Sequence, residues 1–307
     1  MPLFCPPPSG CSRRRFLATT LLGGTAVSLR VAAAQADEGP TRVALLADTH
    51  IDKDPARKLR GVNLTRHLEG VASDVLTVAP APDHLLINGD CAVSKGLAGD
   101  YAQLQELVGP ISQAGIPVHY LMGNHDDRDV FLKSFNERPE VTNSLVDHKL
   151  VEVLETPEAN WIFLDTLMEV DVVTGEVGDA QLRWLDGWLE GNPGRPVIIV
   201  MHHTPQFGIE PGAKVFGVKD TDPLFAILAK HGHVKAVVYG HSHTWRTSRH
   251  ESGLHLINLP PVAYVFKEGF PSGWVLAEAD ATGISLTLRS LDAAHPQHLE
   301  EKRLAWR

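Results

Sequence analysis

Five short runs, residues 43–47, 84–88, 118–122, 197–201 and 235–239, are rich in valine, isoleucine or leucine and show little polar alternation. Strands covered on both faces read this way. Between them lie segments with the apolar spacing of amphipathic helices: 62–78, 100–114, 128–137, 179–190 and 223–231. Strand alternating with helix over this length predicts an α/β architecture. Residues 149–154 and 161–165, and the later stretches 245–249, 255–259, 274–278 and 285–289, read as strands of antiparallel character. The sheet content is therefore expected to be mixed and divided between two sheets. No repeat, low-complexity tract or Pro/Gly linker interrupts the chain after Arg42, so one domain over 37–307 is the simplest organisation.

The N-terminal segment has a different character. Ser12-Arg13-Arg14-Arg15-Phe16-Leu17 leads into an apolar run over 17–29 and then Ala34-Gln35-Ala36. A basic start, a short apolar run and a small-x-small site make a secretory signal peptide, and this run is shorter than the about 20 residues that span a bilayer. The arginine pair followed by x-Phe-Leu resembles a twin-arginine signal, which hands folded proteins to the twin-arginine export machinery. The expectation is a leader over 1–36, cleaved off, and a periplasmic or secreted protein with no transmembrane segment in its mature form.

Charge and cysteine usage narrow the picture. The chain has 28 basic and 37 acidic residues, a net charge of −9. Removing residues 1–36 takes four arginines and no acid, leaving 24 basic groups and a net charge of −13. Such a surface does not suit a nucleic acid. Cys5 and Cys11 fall in the leader, so Cys91 is the one thiol beyond it and an internal disulfide is excluded.

Sixteen histidines are an excess for 307 residues, and several sit at predicted strand ends. The five buried-type runs end in Asp48-Thr49-His50, Gly89-Asp90, Gly123-Asn124-His125-Asp126, His202-His203 and Gly240-His241-Ser242-His243. Ligands of α/β sheets gather at the carboxyl ends of strands, so these clusters are expected to converge. Imidazoles, carboxylates and one amide oxygen, without thiolate, suit Mn, Fe or Zn. Seven candidate ligands exceed the needs of one ion with an open position and fit two divalent or trivalent ions sharing a carboxylate. Two ions about 3.5 to 4 Å apart, with a bridging hydroxide as nucleophile, are suited to hydrolysis at phosphorus.

In order and spacing, the five clusters resemble the calcineurin-like metallophosphoesterases, whose pattern is D-x-H, G-D, G-N-H-[D/E], a histidine after a strand, and G-H-x-H. The resemblance runs from Arg42 to about Leu259. It implies a four-layer αββα sandwich of two mixed β-sheets flanked by helices. It also implies that Asp48, His50, Asp90 and His243 hold one metal, and that Asp90 bridges to a second completed by Asn124, His202 and His241. His125 would touch the phosphate and protonate the leaving group or stabilise charge in the transition state. Asp126 would either orient His125 or cap the next helix.

Smaller features point to a subgroup. Purple acid phosphatases carry a tyrosine three residues after the Gly-Asp aspartate, where this chain has Val93. The stretch from Gly123 to Arg128, with Leu59-Arg60-Gly61-Val62-Asn63, is similar to class III cyclic nucleotide phosphodiesterases and related glycerophosphodiesterases. Arg128 would then reach a substrate phosphate or stay solvated in a helix's first turn, and Asn63 is a second candidate for the site. Thr204 separates the histidine pair from Pro205; His202 is the expected ligand, with His203 touching substrate or supporting the site. The glycine-bearing loop 205–220 is placed as a pocket wall or a surface excursion. Trp184 and Trp188 are expected in the core, and His231 and His233 at a helix end.

The resulting expectation is hydrolysis of a small-molecule phosphodiester, of cyclic nucleotide or glycerophosphodiester type. A phosphomonoesterase of the same fold and a non-catalytic metal-binding protein are the alternatives.

Overall fold

A computed structural model of the chain describes residues 39–135 and 145–307. The leader expected over 1–36, and the last two residues of the helix expected over 128–137, lie outside them. No helix among the described residues is long and apolar enough to cross a membrane.

Two six-stranded sheets face each other. The first runs β14-β13-β12-β1-β4-β5, built from β1 (Thr41–Ala47), β4 (His84–Asn88), β5 (Val118–Leu121), β12 (Gly273–Asp280), β13 (Gly283–Ser290) and β14 (Glu301–Ala305). The second runs β10-β11-β9-β8-β7-β6, from β6 (Glu152–Glu155), β7 (Asn160–Leu164), β8 (Val197–Met201), β9 (Val234–Tyr239), β10 (Arg246–Arg249) and β11 (His255–Asn258). Parallel strands β1–β4–β5 form one half of the first sheet, with β5 at its edge, and β11–β9–β8–β7 the centre of the second; antiparallel strands complete each sheet. Both sheets are mixed, as expected.

The period-two geometry of a strand sorts residues between three cores. In β1, Val43, Leu45 and Ala47 enter the layer between the sheets, where they meet Trp161, Phe163, Val200 and Val238. Ala44 and Leu46 face outward, against Leu68 and Val71 of α1 (Leu64–Thr77) and Leu104 and Val108 of α2 (Ala98–Gln113); Phe131 of α3 (Arg128–Ser134) joins them. On the other flank Ile199 and Met201 pack on Leu185 of α4 (Asp179–Gly191) and Leu228 of α5 (Thr221–Lys230). Helix, sheet, sheet, helix is thus the layer order.

Departures from the expected elements have local causes. Residues 58–59 and 62–63 pair as the short hairpin β2–β3 across Arg60 and Gly61, which take φ of +47° and +87°. Helix α1 therefore starts at Leu64, not at 62. Strand β14 escaped the hydrophobic pattern because its exposed positions Glu301 and Arg303 alternate with half-buried Lys302 and Leu304 at a sheet edge. Trp184 and Trp188 are half-buried and pack at the margin of the α4–α5 core. His231 caps α5 and bonds Asp186 at 2.8 Å.

Candidate metal centre

The ends of β1, β4, β5, β8 and β9 bring the five clusters together from both sheets. The turns after β1 and β4 are stitched by His50 N–H to Asp90 O (2.8 Å) and Asp48 N–H to Gly89 O (3.2 Å). Asp48, His50, Asp90, His241 and His243 all have φ between +47° and +67°. Non-glycine residues rarely enter this region, at a cost of about 1–3 kcal/mol each, and they persist where the surroundings over-determine them. The motif glycines explain part of that constraint. At Gly123 a Cβ would lie 2.2 Å from the Asp90 backbone nitrogen, and at Gly89, with φ +70°, it would lie 2.5 Å from His202 Nδ1.

Three overlapping groups result: Asp48, His50 and His243; Asp90, His202 and His241; His50, Asp90 and His125. The Asp90 oxygens divide between them, Oδ2 lying 3.6 Å from His50 Nε2 and Oδ1 3.4 Å from His202 Nε2. His243 Nε2 lies 3.3 Å from Asp48 Oδ1 and 3.1 Å from His50 Nε2. Backbone carbonyls fix the tautomers. His202 Nδ1–H donates to Asn88 O (2.8 Å), His243 Nδ1–H to Tyr264 O, and His241 Nε2–H to Phe216 O (2.7 Å). The lone pairs left are Nε2 of His202 and His243 and Nδ1 of His241, the arrangement in which imidazoles ligate metal.

The donor set fits metal ions on independent grounds. His202 Nε2 and Asn124 Oδ1 are buried atoms without a hydrogen-bond partner, which is costly unless a cation takes the lone pair. Burial resists ionisation of Asp90, yet His202, His50 and His125 hold its carboxyl well below the usual range. Burial also opposes the charge on Asp48, and His243 and His202 more than offset it. The carboxylates work in return: despite burial, Asp90 and Asp48 lift His202 to about 9. Burial keeps His50 and His241 neutral, with pKa values of about 4. The centre is a buried acidic pair that draws positive charge, surrounded by imidazoles.

This constellation coincides with the match to the Calcineurin-like phosphoesterase family, which spans residues 41–245. The chain belongs to that family. It is 26% identical over 229 residues to a 3′,5′-cyclic-nucleotide phosphodiesterase of Nostoc sp., covering 74% of this chain and 80% of that protein. It is 24% identical over 260 residues to the 3′,5′-cyclic adenosine monophosphate phosphodiesterase CpdA of Escherichia coli K12, covering 82% and 90%. Among solved structures, a dimetal phosphatase from Danio rerio superposes with a TM-score of 0.65 at 13% identity, over 87% of this chain and all of that one. The calcineurin-like fold implies divalent metal ions, and the three groups above are their candidate site.

Around the calcineurin-like centre lies a cavity of about 430 Å³, lined by His50, Asp90, Asn124, His125, His241 and His243 among others. Loop 205–220 forms one wall through Pro205, Gln206, Phe216 and Gly217; Val173, Ser242, Tyr264 and Phe266 also line the cavity. His125 Nδ1 meets Ser94 O at 3.0 Å and Asp171 Oδ1 at 3.3 Å, leaving Nε2 for a ligand. Asp171 is a residue the motifs did not reveal. It has φ +63°, and its N–H donates to Asn124 O at 2.7 Å.

The remaining expected residues have other partners. Asp126 neither bonds the His125 ring nor caps α3, whose N-cap is Asp127. Its carboxylate accepts from Gly123 N (2.9 Å), Ala92 N (3.0 Å), Cys91 N (3.1 Å) and Tyr101 Oη (3.2 Å), tying the turns after β4 and β5. Arg128 donates to both oxygens of Asp165, at 2.6 and 3.0 Å, and to Leu167 O at 2.9 Å, so its guanidinium is consumed in anchoring the loop that carries Asp171. Asn63 caps α1 through Arg66 N (2.8 Å) and donates to Pro55 O. His203 is fully buried beside His202 and His241, with Nδ1 2.7 Å from Thr166 Oγ1, and does not line the cavity.

Asp126→Ala would leave three buried N–H groups without an acceptor, at about 1–3 kcal/mol each. The expected result is a loss of roughly 3 kcal/mol or more in a denaturant titration, whereas an unchanged midpoint would mean that the turns hold without it.

Proposed function

We propose that the protein is a dinuclear metal-dependent phosphodiesterase, exported by the twin-arginine route to the periplasm or beyond, that hydrolyses a small phosphodiester of cyclic nucleotide or glycerophosphodiester type. The observation that carries the reading is Asp90, a single buried carboxylate whose two oxygens face two different histidine groups. Two ions held by Asp48, His50, Asp90, His202, His241 and His243 would supply Lewis acidity for in-line displacement at phosphorus. The chain's own residues do the rest. Asn88, Tyr264 and Phe216 orient the ligand imidazoles through their carbonyls. His125, with Nδ1 held by Ser94 O and Asp171, presents Nε2 to the leaving oxygen and can donate the proton it needs.

Two observations favour a diester over a monoester. Among the described residues, no lysine or arginine lines the cavity, which suits the single charge of a diester better than the double charge of a monoester. The relatives above carry cyclic nucleotide phosphodiesterase names.

The test is hydrolysis of bis(4-nitrophenyl) phosphate against 4-nitrophenyl phosphate, with added Mn²⁺ and with chelator. Diester cleavage that requires metal and exceeds monoester cleavage is expected. Monoester preference would make the protein a phosphatase, and two bound ions without hydrolysis would leave a metal-binding protein.

A further inference from the structure

Two half-exposed phenylalanines line the cavity, on the same loops that hold the histidines of the Gly240-His241-Ser242-His243 turn. Phe216 is 53% exposed and Phe266 52%. Scattered surface apolar residues need no explanation, but several gathered on one cavity do, and exposed Val173 lines it too.

The backbones that carry the rings are held in place. Gln206 Oε1 accepts from Phe216 N (2.9 Å) and Gly217 N (3.2 Å), and Thr174 Oγ1 donates to Val215 O (2.8 Å). A Cβ at Gly217 would lie 2.1 Å from Thr204 O, so the loop takes this path only with glycine. Phe266 stacks on His243 with ring centroids 4.1 Å apart, and its loop is tied to the end of β1 by Val262 N–H to Ala47 O and Ala263 N–H to Asp48 O.

Each ring also carries a cation. Lys214 Nζ stands 4.8 Å from the Phe216 centroid, and Arg60 Cζ, on the β2–β3 turn, 5.0 Å from that of Phe266. Neither cation has a carboxylate partner among the described residues. In a chain of net charge −9 they place positive charge behind the rings that line the cavity, outside its lining.

We propose that Phe216 and Phe266 are specificity-determining residues that grip a flat aromatic substituent of a monoanionic phosphodiester, with Arg60 and Lys214 drawing the anion in. The inference rests on the phosphodiesterase reading. Aromatic rings recognise one another by offset faces or by edge to face, and rings carried on loops already tied down need less ordering of the chain on binding. A small aliphatic substituent gains none of this contact.

Two diesters with one leaving group isolate the effect: bis(4-nitrophenyl) phosphate and methyl 4-nitrophenyl phosphate. Phe216→Leu and Phe266→Leu keep apolar bulk and lose the flat ring. The ratio of kcat/KM, aryl over methyl, is expected to fall about five- to tenfold in each, through KM. Phe→Tyr at the same positions should restore it, and metal content by elemental analysis should match the wild type. If both diesters decline together, or neither does, the rings only support the ligand histidines and the inference is overturned. A wild-type protein that cleaves neither diester with Mn²⁺ would instead remove the phosphodiesterase reading itself.

Discussion

Asp90→Asn should fold, lose one of the two metal equivalents and lose diester hydrolysis by on the order of 10³-fold or more, since several kcal/mol of charge stabilisation go with the ion. The amide is isosteric with the carboxylate, so the change acts through charge and lone pairs. Asp90 Oδ1 accepts from His125 N at 2.9 Å, and one oxygen of an amide can still do so. What the amide cannot do is present an anionic oxygen to His50 on one side and to His202 on the other, as Asp90 does at 3.6 and 3.4 Å. Elemental analysis and metal-dependent thermal unfolding read this without relying on turnover. Ions that bind the folded state alone stabilise it by about 4 kcal/mol at a thousand times their dissociation constant, so the wild-type Tm should climb with added Mn²⁺ and that of the variant should climb less. Equal metal content and equal Tm gain in the two proteins would mean that Asp90 is not shared between ions, and the dinuclear reading would be lost.

The convergence of the five blocks into a candidate metal site was legible in the sequence because each block is local. A strand, a glycine that lets two turns approach, and a ligand or two can be read within a few residues, as in Gly123-Asn124-His125. The sheet centres were legible for a similar reason, since strands buried on both faces leave unbroken apolar runs. What remained hidden depends on pairs far apart in the chain. Arg128 lies two residues after the Gly123–Asp126 block, but its partner Asp165 lies 37 residues on, and that pairing makes it an anchor for a loop, neither a phosphate contact nor a solvated side chain. Asp126 stands beside His125 in sequence while its carboxylate faces the other way, into the Cys91 and Ala92 amides. Asp171, Tyr264 and Phe266 sit in loops with no periodicity and no motif. Only the packing of both sheets brings Tyr264 and Phe266 to the cavity and Asp171 to His125.

His125→Ala should separate substrates by leaving group. A proton donor contributes about 10²–10⁴-fold where the departing oxygen is basic, and little where it leaves readily as an anion. Alkyl diesters are therefore expected to lose hydrolysis by about that factor, and bis(4-nitrophenyl) phosphate by only about tenfold. Asp171→Ala should show the same selectivity more weakly, about tenfold on alkyl diesters, because a carboxylate that orients an imidazole is worth about 10–100-fold. Ser94 O, at 3.0 Å, still holds the ring when Asp171 is gone, which keeps the effect at the lower end. The decisive measurement is the double-mutant cycle. If Asp171 acts through His125, adding Asp171→Ala to His125→Ala should change kcat/KM by less than about twofold. The same tenfold loss in both backgrounds would show that Asp171 acts elsewhere, through its N–H to Asn124 O and so on the position of Asn124. The general-acid role of His125 would then need another partner.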